Sequence, residues 1–513
     1  MAWIALAPMI WLIQSPTPPH KTLRQVWIAS FVFWLVTLHF VRLPLWPLWF
    51  GWFALAAYLA VYLPLFVSIS RTLVHHMRIP TVIAVPFVFT GLEWIRVTFL
   101  SGFGLACLSH SQYQHGPSMQ IATFFGAYGV SFAIVLFAAA VSVATSFAWK
   151  KLNTEASIPH RLGHGFLAAI VMFAVLGFGF RTLSLDDSLR KSAEAHKHLK
   201  VALIQSNIDT VLESKSREEQ IEETEREFFN RRGLTHSARI IEKDLDLIVW
   251  PESSFAFTDV LSDVSATDTQ EERRENQLMA WKAAVGLPRP FSDAMPLLVG
   301  STTLDPAQTQ IFNSAILFDE HGDVQGRYYK NHLVMFGEYF PVVHSIPVLK
   351  EFIKAFRSLN PGTSFARFVV KNVSLAPNIC FETTVPHLIL RQINTLEESG
   401  EEIDVLVNVT NDGWFFGTSC LDLHLACNTF RAVEMRKPLL VSANTGFSAH
   451  IDEFGRHVRV GPRRKEAELI CNVRVPLPQT TLYREWGAWV PCVMGWMTIV
   501  AGIAQISLFR ESD

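Results

Sequence analysis

Charge is what this sequence has least of. Only 18% of its 513 residues are Asp, Glu, Lys or Arg, where a water-soluble chain carries about a quarter. The formal balance is −2, so no general electrostatic pull toward nucleic acid or acidic lipid is implied. Cysteine is also sparse. Cys107, Cys380, Cys420, Cys427, Cys471 and Cys492 form no CxxC pair and no zinc-ligand spacing, which argues against a structural metal site. A disulfide framework is disfavoured too; Cys420 and Cys427 are the pair an oxidising compartment would join. The adjacent His75 and His76 lack carboxylate or thiol company and read as solvated loop residues rather than metal ligands. There is no internal repeat, no long low-complexity tract, and no charged leader with a small-residue cleavage site at the N-terminus.

What is present is apolar and unevenly placed. Half the residues are hydrophobic, with 15 Trp and 39 Phe, and the uncharged runs collect in 1–182 and 487–508. A bilayer core of roughly 30 Å needs about 20 apolar helical residues. The spans expected are 2–14, 24–41, 48–70, 80–99, 119–148, 165–182 and 487–508. Lys21, Arg24, Arg71, Arg78, Lys150, Lys151 and Arg161 crowd alternate loops. By the positive-inside rule those loops are cytoplasmic, which places the N-terminus and residues 183–484 on the other face. The first span is short at about 1.5 Å of rise per residue. Either a helix upstream of it is missing from this sequence, or the bilayer thins locally around it. Inside the spans, Glu93 is costly in lipid and is expected to pair with Arg96 one turn on.

The expected organisation is therefore a membrane domain over 1–182, a water-exposed domain over 183–484, and a last span with a short cytoplasmic tail over 485–513. The charged stretch "DDSLRKSAEAHKHLK" reads as the linker into the middle domain. Beyond it come the β-like runs "KVALIQSN", "DLIVWPES", "PLLVGSTT", "NSAILFD", "NVSLAPNIC", "DVLVNVTND" and "PLLVSANTG". Helix-compatible stretches at 216–243 and 420–436 lie between them. Near-continuous apolar strands are buried on both faces, so a layered α/β domain is expected.

Three polar residues sit at or just beyond such runs: Glu252 after "LIVWP", Lys330 in "GRYYKNHLVMFGEYFP", and Cys380 closing "SLAPNIC". Sites in α/β sheets gather beyond strand ends. A thiol, a carboxylate to take its proton, and an ammonium to hold an oxyanion are equipment for acyl transfer without metal or cofactor. Singly, each has a plainer reading: a buried small hydrophobe, a turn acid, and a solvated loop lysine.

Together, "LIVWPESS", "YYKNHLVMFGEYFP" and "NICFE" resemble the Glu–Lys–Cys triad of the nitrilase superfamily. Add the flanking spans, "SGFGLACLSHSQY", "NVTNDGWFFGTS", "HLACNTFRAVEMRKPLLVSANTGFSAHIDEFGR" and "TLYREWG", and nearly the whole chain resembles the apolipoprotein N-acyltransferases of the bacterial inner membrane. The resemblance implies an αββα catalytic sandwich outside the cytoplasm and one more N-terminal helix than is present. Cys380 would be the nucleophile carrying an acyl thioester, Glu252 the general base, and Lys330 an oxyanion donor. Glu338 and Glu382 match further acidic positions near the triad. The implied partners are a phospholipid acyl donor, membrane lipid, and a lipoprotein whose diacylglyceryl-modified N-terminal cysteine accepts the chain in a two-step, ping-pong transfer.

The sequence departs from the family in two places. Phe381 stands where Tyr is usual, and the wording around Leu421 and Asp422 differs from a Gly-Pro, aromatic-rich segment. The first removes a phenol and the second bears on lipid or acceptor selectivity. Phe336, Tyr339, Phe340, Trp414, Phe415 and Phe416 are either core residues or a lipid-facing rim. Two other functions fit parts of the sequence: a membrane-tethered amidase in which water resolves the thioester, and an inactive structural or transport membrane protein.

Overall fold

The computed structural model describes residues 1–15, 21–44, 48–145, 158–192, 197–208, 217–255, 295–304, 310–339, 358–400 and 402–510, with residues 272 and 275. The chain divides into two compact units, Met1–Ala193 with Thr480–Asp513, and Glu194–Gln479.

Among the described residues of the first unit, five helices are long and apolar enough to cross a membrane: Leu48–His75, Thr81–Thr98, Ala127–Thr145, Gly163–Asp186 and Trp489–Ile506. Ala2–Gln14 and Thr22–Thr37 are shorter apolar helices, so each of the seven expected stretches is helical. The expected span 119–148 is interrupted, because Gly126 turns the backbone to a φ of +66°. A short helix, Ala122–Phe125, ends there and the long one restarts at Ala127. Small residues bring the helices close: a Cβ on Gly91 would sit 2.6 Å from the Met494 carbonyl oxygen, a separation only glycine permits. Glu93 and Arg96 are both buried, 3.9 Å apart. The Arg96 guanidinium also donates to the Leu105 carbonyl at 2.9 Å, and Leu108 N–H to Glu93 Oε1 at 2.9 Å. The expected pair is present and its loop partners complete it.

Two boundaries differ from expectation. "DDSLRK" is helical, because Ile158–Ser192 is one continuous helix; charge alone does not end a helix whose residues are otherwise good formers. The helix Leu482–Trp486, capped by the Thr481 hydroxyl, packs on Ala122–Phe125. The second unit therefore runs from 194 to 479 rather than from 183 to 484.

Among its described residues, that unit has twelve strands in two sheets. The strands are β1 His198–Gln205, β2 Leu247–Val249, β3 Leu297–Leu304, β4 Ile311–Phe318, β5 Val324–Tyr329 and β6 Phe368–Val370. They continue with β7 Val373–Ile379, β8 Val405–Thr410, β9 Leu439–Ala443, β10 Ala449–Ile451, β11 His457–Val460 and β12 Ala467–Arg474. One sheet has the order β12-β1-β2-β3-β4-β5 and the other β11-β10-β9-β8-β7-β6. Alternate residues fill the space between them: Val201, Leu203, Val249, Leu298 and Leu317 from the first, Leu375, Ile379, Val407, Val409 and Leu440 from the second. Their neighbours face outward, where Ala202, Ile204, Ile248, Leu297 and Ile316 take Phe228 and Ala238 from the helix Arg217–Ile241. The helix Cys420–Met435 covers β9 and β10 on the other sheet. These layers make the αββα sandwich. Ser442 of β9 ties them, its hydroxyl donating to the carbonyls of Ile204 at 3.2 Å and Val249 at 3.0 Å. All six cysteines are free thiols, Cys420 and Cys427 included.

Candidate active site

β7 is buried along its whole length, and it delivers Cys380 at its end. There the backbone turns left-handed, with φ +52° at Cys380. A non-glycine residue in that region is strained, and such strain concentrates at functional sites. The next residues, Cys380–Thr384, form a 3-10 turn. The Cys380 carbonyl accepts from Asn408 Nδ2 at 3.2 Å and His424 Nε2 at 3.1 Å, which holds the turn in place.

Glu252 comes from the opposite sheet, just past β2, and is 6% exposed. Its loop is seated on the backbone of β3, where a Cβ on Gly300 would lie 2.5 Å from Glu252 Cα. Gly300 is thus required for the close approach. The Glu252 carboxylate is gripped by three donors: Asn313 Nδ2 at 2.7 Å and Lys330 Nζ at 3.4 Å on one oxygen, and Asn411 N–H at 2.8 Å on the other.

Lys330 follows β5 and is 1% exposed, so it is not a solvated loop lysine. Its ammonium lies between Glu252 and Glu338, 2.8 Å from Glu338 Oε1. Asn313 Nδ2 also reaches Glu338, at 3.1 Å, and Val334 N–H donates to the other Glu338 oxygen at 2.8 Å. Two carboxylates and one ammonium therefore share a largely buried pocket with a neutral amide. Burial works against the Lys330 cation, but the charges of Glu338 and then Glu252 outweigh it and raise its affinity for a proton. Burial, followed by the charge of Glu252, pushes the Cys380 thiol well above its ordinary value; Lys330 pulls the other way. The resting sulfur is accordingly a neutral thiol beside a carboxylate. A thiolate at this position would have to be made as the sulfur reacts rather than stored.

Glu382 joins the Cys380 turn to the Lys330 loop. It is fully buried and accepts from Ile379 N–H at 2.7 Å, Asn331 N–H at 2.7 Å, His332 N–H at 3.1 Å and the Tyr328 hydroxyl at 2.8 Å. Burial lifts it to about 7 in spite of those donors. Phe381 stacks on the His332 ring with centroids 6.4 Å apart, a contact that needs no phenol oxygen.

The structure thus brings Glu252, Lys330, Cys380, Glu338 and Glu382 into one region. The aromatic residues are more scattered. Phe336 is 51% exposed at a left-handed φ of +64°, and Tyr339, Trp414, Phe415 and Phe416 are half-buried. Phe340 lies outside the described residues. Asp422 makes a two-pronged pair with Arg463 at 2.7 and 2.6 Å, while Arg463 also donates to the Gly417 and Thr418 carbonyls. The unusual Asp422 thereby anchors the loop that carries Trp414–Phe416. Asn313, Asn411, Gly300, Asp412 and His424 escaped the sequence reading. "TND" and the His in "LHLAC" were in view, but neutral amides and a lone histidine carry no spacing signal.

Comparison with known proteins agrees along the chain. Residues 1–140 match the model of the apolipoprotein N-acyltransferase N-terminal domain, and residues 200–485 that of carbon-nitrogen hydrolases. An apolipoprotein N-acyltransferase from Geobacter metallireducens is 30% identical, across all of this chain and 92% of the relative. One from Rhodopirellula baltica is 28% identical over 99% of this chain and 93% of its own length. Among solved structures, Saccharomyces cerevisiae Nit3, of the nitrilase superfamily, aligns with 54% of this chain and 90% of its own, at 16% identity and a TM-score of 0.38.

Proposed function

The chain belongs to the apolipoprotein N-acyltransferase family, and from that premise we propose that it moves an acyl chain from a phospholipid to the N-terminal amine of a diacylglyceryl-modified lipoprotein. It is an acyltransferase of the inner membrane. The Lys and Arg distribution of its loops supports a catalytic unit on the extracytoplasmic side.

In the first half-reaction, Glu252 takes the Cys380 proton as the sulfur attacks the ester carbonyl of the phospholipid. A C–S bond forms, and the oxyanion is stabilised by Lys330 and by the N–H after the nucleophile. The C–O bond then breaks, and the lysophospholipid alcohol leaves with the proton from Glu252. In the second half-reaction the lipoprotein amine attacks the thioester and Glu252 accepts its proton. The C–S bond breaks, and the proton returns to the sulfur. Glu338 and Asn313 keep the ammonium in line, and Glu382 holds the Lys330 loop against the nucleophile's turn. Phe336, Tyr339 and Trp414–Phe416, all at least partly exposed, are the described aromatic residues that would meet the acyl chain.

The observation that carries this reading is the buried Lys330 ammonium, 3.4 Å from Glu252 and 2.8 Å from Glu338, on a loop that Glu382 ties to the turn of Cys380. Incubation of the purified protein with phospholipid should give a hydroxylamine-labile acyl adduct by intact-protein mass spectrometry. Cys380→Ala should abolish it; an undiminished adduct in that variant rejects the nucleophile.

A further inference from the structure

Behind the nucleophile lies a second polar pair that the mechanism above leaves unused. Asp412, from the turn after β8, and His424, from the helix Cys420–Met435, are 4% and 6% exposed. Asp412 Oδ1 lies 3.0 Å from His424 Nδ1. On the other side of the ring, Nε2 lies 3.1 Å from the Cys380 carbonyl oxygen and 3.2 Å from the Thr383 hydroxyl. A carboxylate oxygen and a carbonyl oxygen both accept only, whereas a neutral imidazole carries a single N–H. Both contacts are satisfied together when the ring holds two protons. The effect of Asp412 and of the Cys380 carbonyl outweighs burial and raises the affinity of His424 for that second proton.

The pair is built in rather than incidental. Thr410 Oγ1 donates to Asp412 Oδ1 at 3.3 Å. A Cβ on Gly446 would meet Asp412 Oδ2 at 2.1 Å, so glycine is required there to make room for the carboxylate. The group that His424 grips is the carbonyl of a residue with left-handed φ, the conformation least able to hold itself.

We propose that Asp412 and His424 are a positioning dyad, in which an imidazolium oriented by Asp412 clamps the Cys380 carbonyl and so aims the sulfur at the acyl carbon. His424 Nε2 meets the carbonyl of Cys380 itself, and Asp412 holds the opposite nitrogen of the ring, so one pair fixes the orientation of the residue that carries the sulfur. The proposal rests on Cys380 being the acyl-accepting thiol. Its test therefore includes a reaction that does not depend on acyl transfer.

The full chain in detergent is compared as wild type, His424→Leu, His424→Gln and Asp412→Asn. Two rates are read for each: single-turnover acylation of Cys380 by dioleoyl phosphatidylethanolamine, and alkylation of Cys380 by iodoacetamide. His424→Leu should lower the maximal acylation rate at least 100-fold with the half-saturating lipid concentration unchanged. His424→Gln keeps an N–H for the carbonyl and should stay within about tenfold of wild type. Asp412→Asn removes the charge but leaves a partner for Nδ1, and should fall between the two. Alkylation should follow the same order. His424→Leu acylating within threefold of wild type overturns the dyad, as does His424→Gln being as slow as His424→Leu. If His424→Leu does not fold, an unchanged acylation rate in Asp412→Asn overturns it instead. A wild type that alkylates but never acylates rejects the proposed function, and the alkylation order still decides the dyad.

Discussion

Replacing Lys330 by Met separates what the ammonium does for folding from what it does for chemistry. The methionine chain fills the volume of the lysine stem, so cavity formation is minor. What changes is charge. Glu252 Oε1 and Glu338 Oε1 both accept from Asn313 Nδ2, at 2.7 and 3.1 Å, so they lie within roughly 6 Å of each other. At an effective dielectric of about 20, two like charges at that separation repel by about 3 kcal/mol. Breaking a buried ion pair from one side costs about 3–5 kcal/mol in other proteins, and the two figures agree. Lys330→Met should therefore lower unfolding stability by about 3 kcal/mol, measured by denaturant unfolding in detergent. It should also slow single-turnover acylation by roughly 10² to 10³, the usual effect of losing one oxyanion donor. The decisive variant is Lys330→Met with Glu338→Gln. Removing the second carboxylate removes the repulsion, so most of the stability should return while acylation stays slow. Recovery of both would show that Lys330 serves the fold alone. Recovery of neither would show that repulsion is not the source of the instability.

Three further outcomes follow from neighbouring features. Gly300→Ala forces a methyl to 2.5 Å from Glu252 Cα, and should cut acylation more than tenfold through displacement of the base, with a loss of about 1–3 kcal/mol in stability; wild-type kinetics in this variant would refute the seating of Glu252 on β3. For Glu382, burial raises the acid to about 7. Above that value the ionised form opposes folding relative to the unfolded chain, and the opposition fades as pH falls toward the unfolded carboxylate's range. The stability of Glu382→Gln relative to wild type should thus improve between pH 5 and 8, as read from paired melting curves, and a gap that widens with pH would contradict this. Arg463 and Asp422 are both more than a third exposed, so Arg463→Ala should shift stability by less than about 1 kcal/mol. Its effect should be local: faster hydrogen exchange across 413–419, against unchanged exchange in β8, and equal exchange in both proteins would deny the tether.

The seven apolar runs marked in the sequence are β1, β2, β3, β4, β7, β8 and β9, all central or nearly so, whose residues are buried on both faces. The missed strands lie toward the margins. β11 is almost wholly exposed, β12 alternates, β5 is half-open, and β6 and β10 have three residues each. An edge strand need not be apolar on both sides, so its pattern merges with loop. The triad and its two neighbouring acids were legible as charged or nucleophilic residues within motif wording, whereas Asp412, inside "NVTNDGWFFGTS", has no charged partner nearby in sequence to mark it. The site was not legible where its support is a neutral amide such as Asn313, or a glycine such as Gly300 whose role is to leave space. The helix running through "DDSLRK" was read as a linker because charge density was taken for a break, while the helix itself has no chemical reason to stop there.

The pairing of β1 with β12 over their full length has a consequence for how the catalytic unit comes into being. A polypeptide is made from its N-terminus, and this sheet joins its earliest strand to its latest. One edge of β1 therefore waits, with its amides open, until residues 467–474 exist and reach it. Such distant closure is slow and leaves the nascent chain vulnerable to pairing with the wrong strand. Glu252 and Lys330 follow strands of the sheet that β12 completes, and Cys380 follows a strand of the other, so a chain that ends before residue 467 leaves the sheet behind Glu252 and Lys330 with an unpaired edge at β1.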